Sequence, residues 1–220
     1  MRTYIIGSGK LANAILSSGE FRGSPQVLKW LPEYGSLNER AVVVHAGSGR
    51  ELEAAMAFCR KTGSVLIELS TGLETERLEP DFPLVVCPNT SILVLRVLYM
   101  LKSMGKLFSS YDISITESHQ SAKTSAPGTA YKFAEYLNVP TEKIESIRDP
   151  EIQLKDVRIH KDYLDKHAYH KITIKDGKDQ FTLETKVLGH ESYSVGVKRI
   201  LDIVSNTPLL AKRYSILDLI

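Results

Sequence analysis

The chain has 220 residues, 43% hydrophobic and 25% charged, with 28 Lys+Arg against 26 Asp+Glu for a formal net charge of +2. Such a balance excludes collagen-like, disordered and disulfide-scaffold classes, and it supplies no strong field toward nucleic acid or anionic membrane. Cys59 and Cys87 are too few for a disulfide framework and sit in apolar runs, so two buried thiols in a reducing compartment are expected.

Residues 3–6 form a strand-like run that ends at Gly7, and residues 10–18 carry Leu11, Ala14 and Ile15 at helical spacing. A second strand is expected at 26–31, closed by Pro32, and a third at 41–45, where the apolar run is continuous. A helix at 51–61, strands at 64–69 and 83–87, and a long helix at 91–108 follow. Alternating strands and helices with continuously apolar strands imply a parallel sheet covered on both faces. Ligands of such sheets bind beyond the carboxyl ends of the strands.

The pattern changes near residue 110. Residues 112–116 alternate, 125–137 open with Ala-Pro-Gly-Thr and continue as a helix, and 152–159 and 170–175 alternate again. Asp176-Gly177 marks a hairpin turn before a strand at 180–188, and residues 192–204 make a closing helix. The expected architecture is α/β: an N-terminal Rossmann-type parallel sheet over 1–110, then an α+β domain over 111–220 on a mixed or antiparallel sheet. The closing helix at 192–205 can return to the first domain. No apolar run reaches the roughly 20 residues of a membrane helix, and the N-terminal run is too short for a signal peptide, so a cytoplasmic protein without membrane or nucleic-acid partners is expected.

Gly7-Ser8-Gly9-Lys10-Leu11-Ala12 has the form G-x-G-x-x-A between a strand and a helix. The first glycine permits the tight turn, the second lets a pyrophosphate approach the backbone, and the small third residue lets helix and strand pack closely. The helix start adds N–H groups and partial positive charge. A structural turn without ligand is the plain alternative. No acid ends the second strand to read a ribose; Lys29 or Arg22 there would meet a 2′-phosphate, and Trp30 either packs on adenine or belongs to the core. The cofactor is therefore expected to be NADPH or NADH.

The segment from Glu117 to Ala130 holds His119 and Lys123 four apart and then a Pro127-Gly128-Thr129 helix start. The Gly128 and Thr129 N–H groups and the Lys123 ammonium suit a carboxylate, and His119 can exchange a proton near neutral pH. A capped surface loop is the plain alternative.

Here the chain resembles the dihydrodipicolinate reductase family over its whole length. That family carries Glu-x-His-His-x-x-Lys-x-Asp-Ala-Pro-Ser-Gly-Thr-Ala, matched by Glu117, His119, Lys123, Ala126, Pro127, Gly128, Thr129 and Ala130. Its Gly-Thr-Thr-Gly resembles Leu69-Ser70-Thr71-Gly72, and its Ala-Pro-Asn-x-Ser resembles Cys87-Pro88-Asn89-Thr90-Ser91. Its Gly-x-His resembles the stretch ending at His170, and its Phe-Ala-x-Gly-Ala helix resembles Tyr193-Ser194-Val195-Gly196-Val197. The departures are Gln120 for the second histidine, Ser125 for Asp, one residue fewer between Pro127 and Gly128, His190 for a late substrate-binding Arg, His45 for Asp, and Leu69 for the first Gly of Gly-Thr-Thr-Gly.

The resemblance implies hydride transfer from the nicotinamide cofactor to a cyclic unsaturated imine dicarboxylate in lysine and diaminopimelate biosynthesis, by a homotetramer. His119 and Lys123 would supply the proton, and Gln120, Gly128, Thr129 and His190 would hold the substrate. Ser70, Thr71, Pro88 and Asn89 would face the nicotinamide, beside the Gly7–Ala12 turn and Lys29. Three other functions stay open: a paralogue acting on a different small acid, a non-catalytic nucleotide-binding regulator, and a metal site built from His167, His170 and His190.

Overall fold

The computed structural model describes residues 1–18, 21, 27–124, 126–189 and 191–220. They form two units, residues 1–92 with 193–220 and residues 93–192. The first stretch of chain gives β1 (Arg2–Ile6), α1 (Lys10–Ser17), β2 (Val27–Lys29), β3 (Ala41–His45), α2 (Leu52–Thr62), β4 (Val65–Glu68) and β5 (Leu84–Val86). The long helix α3 (Ile92–Met104) leads into β6 (Asp112–His119), α4 (Gly128–Leu137), β7 (Ile144–Ile147), α5 (Pro150–Lys155), β8 (His167–Asp176) and β9 (Asp179–Leu188). The chain then returns through α6 (Glu191–Asn206) and β10 (Arg213–Ser215) to the first unit.

The units thus divide at 92/93 and 192/193, against an expected boundary near 110 and a closing helix at 192–205 that can return to the first domain. The reason is packing. After α3 the chain tightens into a 3-10 turn, and there a side chain on Gly105 would come within 2.5 Å of the Tyr136 carbonyl in α4. That stretch therefore belongs with the second sheet.

The first sheet is parallel throughout, in the order β10-β5-β4-β3-β1-β2. β3 is buried along its whole length, as a central strand covered on both faces must be. α2 ends on Gly63 at φ +66, with Arg60 and Lys61 in its last turn, where the carbonyl end of a helix favours cations. Trp30 is part of the core. Its ring stands edge-on to Tyr4 at 5.6 Å and to Phe58 at 5.4 Å between centroids, so it is not a platform for adenine. Cys59 and Cys87 are buried and unpaired, and burial alone pushes the Cys59 thiol up to about 12.

The second sheet is mixed, in the order β7-β6-β8-β9, with β6 and β7 parallel and the other pairs antiparallel. Three expectations change here. Residues 152–159 do not form a strand. Asp149 caps a helix there by accepting hydrogen bonds from the Glu151 and Ile152 N–H groups, and Pro150 occupies its first position. The alternation misled because it is inverted: Ile152 and Leu154 are exposed while the polar Gln153 between them is fully buried. β7 was not expected, nor was β10 at the edge of the first sheet. β6 runs three residues past its expected end, so His119 stands on a strand and not in a loop. Among the described residues no helix is long and apolar enough to cross a membrane.

Candidate functional site

Two groups of residues carry candidate chemistry, one in each unit. In the first unit the chain passes from β1 to β2 on one side and then to β3 on the other, so the strand order reverses between β1 and β3. A crevice opens at the carboxyl ends of strands at such a point. The residues that follow these two strands line a cleft of about 330 Å3: Gly7, Ser8, Gly9, Ala46, Gly47 and Ser48, with Arg50 and Glu51 beside them.

Gly7 adopts φ +129, and a Cβ there would sit 2.3 Å from the Ala46 carbonyl oxygen, so only glycine lets the two loops meet. Gly9 precedes α1 without a side-chain cap, and nothing lies within 4 Å of where its Cβ would project. A bare backbone at an uncapped helix start fits a pyrophosphate. Lys10 is exposed at the first helical position, Leu11 is half-buried, and Ala12 is fully buried, so Ala12 contributes close packing and no ligand contact.

Lys29 is exposed at the end of β2, while Arg22 lies outside the described residues. Ser70 donates its hydroxyl to the Gly47 carbonyl at 2.7 Å, and Thr71 beside it is exposed. Pro88 is half-buried, and Asn89 accepts the Ser91 N–H at 2.7 Å at the start of α3. Sequence reading missed Arg50; the signal was its place just after β3, opposite the glycine turn. It also missed Glu68, which pairs with His45 in the interior below these loops.

In the second unit β6 places Glu117 and His119 on one face, two residues apart. The Glu117 carboxylate has no exposed surface. It accepts from His119 Nδ1 at 2.6 Å and from both terminal nitrogens of Arg148, at 2.6 and 3.1 Å. Burial pushes this carboxyl up, but hydrogen bonds from His119, Arg148 and Ser146 more than offset it and bring it down to about 2. An ionised Glu117 fixes the hydrogen of His119 on Nδ1, which leaves Nε2 as the atom that can exchange a proton. The His119 carbonyl is held from behind by Gln153 Nε2 at 2.7 Å.

The Lys123 ammonium is lowered in pKa, first by burial and then by Arg148, against an opposing pull from Glu117. Lys123 therefore lies within electrostatic reach of the same cluster. Neither Arg148 nor Gln153 was legible beforehand: Gln153 lies in the stretch misread as a strand, and Arg148 stands just before the helix that forms there.

Other expected residues are placed differently. Gln120 is half-buried, and its carbonyl accepts the Lys123 N–H at 2.9 Å in a turn. The Gly128 N–H is not a spare donor; it reaches the Ala126 carbonyl at 3.0 Å. Thr129 follows, half-buried, in the first turn of α4. Ser125 and His190 lie outside the described residues.

His170 is buried beside His119, with ring centroids 5.7 Å apart, and burial followed by the His119 charge lowers it to about 3. His167 has both ring nitrogens occupied, Nε2 by the Ser118 hydroxyl at 2.9 Å and Nδ1 by the Tyr163 carbonyl at 3.0 Å. Among the described residues no three His, Cys, Asp or Glu side chains gather to hold a metal.

A family model described as "Dihydrodipicolinate reductase, C-terminus" matches residues 94–220, more than half of the chain. The chain is 27% identical to "4-hydroxy-tetrahydrodipicolinate reductase 1, chloroplastic" of Arabidopsis thaliana, over 73% of this chain and 52% of that protein, so it spans about half of that relative. It is 24% identical to "4-hydroxy-tetrahydrodipicolinate reductase" of Rickettsia peacockii (strain Rustic), over 81% of this chain and 78% of that protein. Among solved structures it resembles dipicolinate-bound dihydrodipicolinate reductase from Paenisporosarcina sp. TG-14, with a TM-score of 0.64 at 17% identity over all of both chains. At that identity the likeness speaks for the fold.

Proposed function

The chain belongs to the dihydrodipicolinate reductase family of NAD(P)H-dependent oxidoreductases, and from that premise we propose that it reduces a cyclic unsaturated imine dicarboxylate, as 4-hydroxy-tetrahydrodipicolinate reductase does in lysine and diaminopimelate biosynthesis. The observation that carries this reading is the buried Glu117 carboxylate holding His119 by Nδ1, with Lys123 and Arg148 beside it. That is an oriented proton donor with the Lys123 ammonium as the cation for an anionic substrate, while Arg148 serves to hold Glu117.

When bound, the reduced nicotinamide supplies a hydride. The uncapped start of α1 and the bare Gly7–Gly9 backbone would hold its pyrophosphate, with Arg50 or Lys29 available to further phosphate charge. Ser70, Thr71, Pro88 and Asn89 form the loops proposed for the nicotinamide end. In the second unit the Lys123 ammonium and the α4 start around Thr129 hold a substrate carboxylate, with Gln120 and His190 as further contacts. Reduction of the conjugated imine also requires a proton, which His119 through Nε2, or the Lys123 ammonium, would be placed to deliver.

The direct test is an assay with freshly generated hydroxy-tetrahydrodipicolinate and each reduced nicotinamide in turn, following loss of absorbance. Turnover supports the reading. Cofactor binding with no turnover on this or any related imine would make the chain a nucleotide-binding regulator instead.

A second reading, a paralogue acting on a different small acid, is favoured by one observation: the Arg148 guanidinium is engaged by Glu117 through both terminal nitrogens. It is thus not offered as the bidentate carboxylate clamp whose family arginine is replaced by His190. Under the lysine-pathway assignment, Gln120→His and His190→Arg should lower KM for the family substrate. If the protein leaves that substrate untouched even with both changes, the paralogue reading is the better one.

We further propose a cytoplasmic homotetramer built on the second sheet, whose edge strand β9 is largely exposed and carries Phe181 at 52% accessibility. A monomer by light scattering at micromolar concentration would overturn that assembly.

A further inference from the structure

His45 ends β3 and Glu68 ends β4, side by side in register, and neither side chain has any exposed surface. His45 Nδ1 donates to the carboxylate at 2.8 and 2.9 Å from its two oxygens. The same carboxylate accepts the Ser70 N–H at 2.8 Å and is 3.4 Å from the Thr75 hydroxyl. Ser70 in turn donates its own hydroxyl to the Gly47 carbonyl at 2.7 Å. The contacts close a ring: His45 to Glu68, Glu68 to Ser70, Ser70 to Gly47, and Gly47 back along the chain to His45. The ring ties the loop after β4 to the loop after β3, which is one wall of the cleft.

The imidazole also fills the space beneath Gly47. Its Nε2 lies 3.1 Å from where a Gly47 Cβ would stand, and it has no hydrogen-bond partner among the described residues. This arrangement is hard to explain by stability. Replacing a buried ion pair with well-packed apolar groups is often neutral or stabilising, and a buried nitrogen without a partner is unfavourable. Directional contacts do what apolar packing cannot, which is to fix the angle at which the two loops leave their strands.

We propose that His45 and Glu68 are positioning residues for the dinucleotide, acting through Ser70 and the Gly47 turn to hold the cleft in its binding geometry. The inference rests on the cofactor reading of the first unit. Neither residue touches the cofactor; each acts through the loops.

The experiment uses the full chain and measures equilibrium affinity for NADH and NADPH by fluorescence titration, thermal stability, and steady-state kinetics. Removing one partner alone would strand a buried charge and endanger folding, so the main variant is the double change His45→Leu with Glu68→Leu. We expect it to fold with a melting temperature near or above that of the wild type. It should bind cofactor roughly tenfold or more weakly, with the loss in KM for cofactor and not in kcat. Ser70→Ala, which cuts the ring at its half-buried point, should weaken binding several-fold with the melting temperature unmoved.

A folded double variant with wild-type affinity overturns the proposal. If the double variant does not fold, Ser70→Ala decides: wild-type affinity there overturns the proposal, and weaker affinity supports it. A wild-type protein that binds neither nucleotide overturns the cofactor reading itself, and this inference falls with it.

Discussion

His119 Nδ1 stands 2.6 Å from Oε2 of Glu117, one pleat away on the same strand, and the same carboxylate carries the Arg148 guanidinium. The acid therefore orients the imidazole and sets its tautomer while a cation keeps the acid ionised. Glu117→Gln retains the shape but lets the amide nitrogen compete for that place. We expect kcat to fall by about 10–100-fold, the size of effect seen for partners that orient metal-ligating histidines. Cofactor affinity should not change, and a titration with reduced nicotinamide beside the rate measurement checks both.

Positioned proton transfer contributes on the order of 10²–10⁴-fold in rate. Lys123→Ala and His119→Ala should each lower kcat by an amount in that range and leave NAD(P)H affinity, which we propose for the first unit, as it was. Full turnover in both variants would reduce the cluster to a structural feature of the second sheet.

The two glycines of the first turn should respond in opposite ways. Gly7→Ala meets the Ala46 carbonyl at 2.3 Å in a backbone conformation that disfavours side chains, so it should destabilise the fold by more than about 1 kcal/mol. Gly9→Val finds open space in the protein alone, yet its side chain enters the proposed pyrophosphate path. It should keep its melting temperature and lose NAD(P)H affinity. Unchanged affinity in Gly9→Val would count against the phosphate site.

Acid should weaken the protein over two overlapping ranges. His170 is lowered from 6.5 to about 3, so on acidification the unfolded chain takes up a proton that the folded chain refuses. Its contribution is complete above about 6.5 and drains away as pH falls toward 3. Glu117 is lowered from 4.5 to about 2, so its contribution is complete above 4.5 and is lost as pH falls toward 2. Urea unfolding between pH 7 and pH 4 should show a falling midpoint in the wild type and a flatter profile in His170→Gln.

The parallel sheet was legible because its strands are continuous apolar runs, and β3 reads Ala-Val-Val-Val-His with no interruption. The glycine turn was legible because a strand, G-x-G-x-x-A and a helix stand in immediate succession. Local pattern failed where a polar side chain points inward. Gln153 hides a helix inside an alternating string, and with that helix misread, Arg148 just before it went unnoticed. His45 and Glu68 are 23 residues apart and meet only through strand register, which no local periodicity encodes. The three-residue β10 is too short to announce itself, and its partner β5 lies on the far side of an entire unit in sequence.

That last pairing bears on how the protein is made. The sixth strand of the first sheet comes from residues 213–215, after all of residues 93–192 have been synthesised. α6, which precedes it, meets the loop after β5 backbone to backbone: a Cβ on Gly196 would fall 1.7 Å from the Thr90 carbonyl. Until those residues leave the ribosome, β5 is an open edge with unpaired backbone groups, the kind of surface that recruits stray strands. The second sheet is complete within residues 112–188, whereas the first sheet waits for residues 213–215. A nascent chain stalled before residue 193 should consequently be the aggregation-prone species, and a chaperone that shields exposed strand edges should raise the yield of folded protein more than one acting on the finished chain.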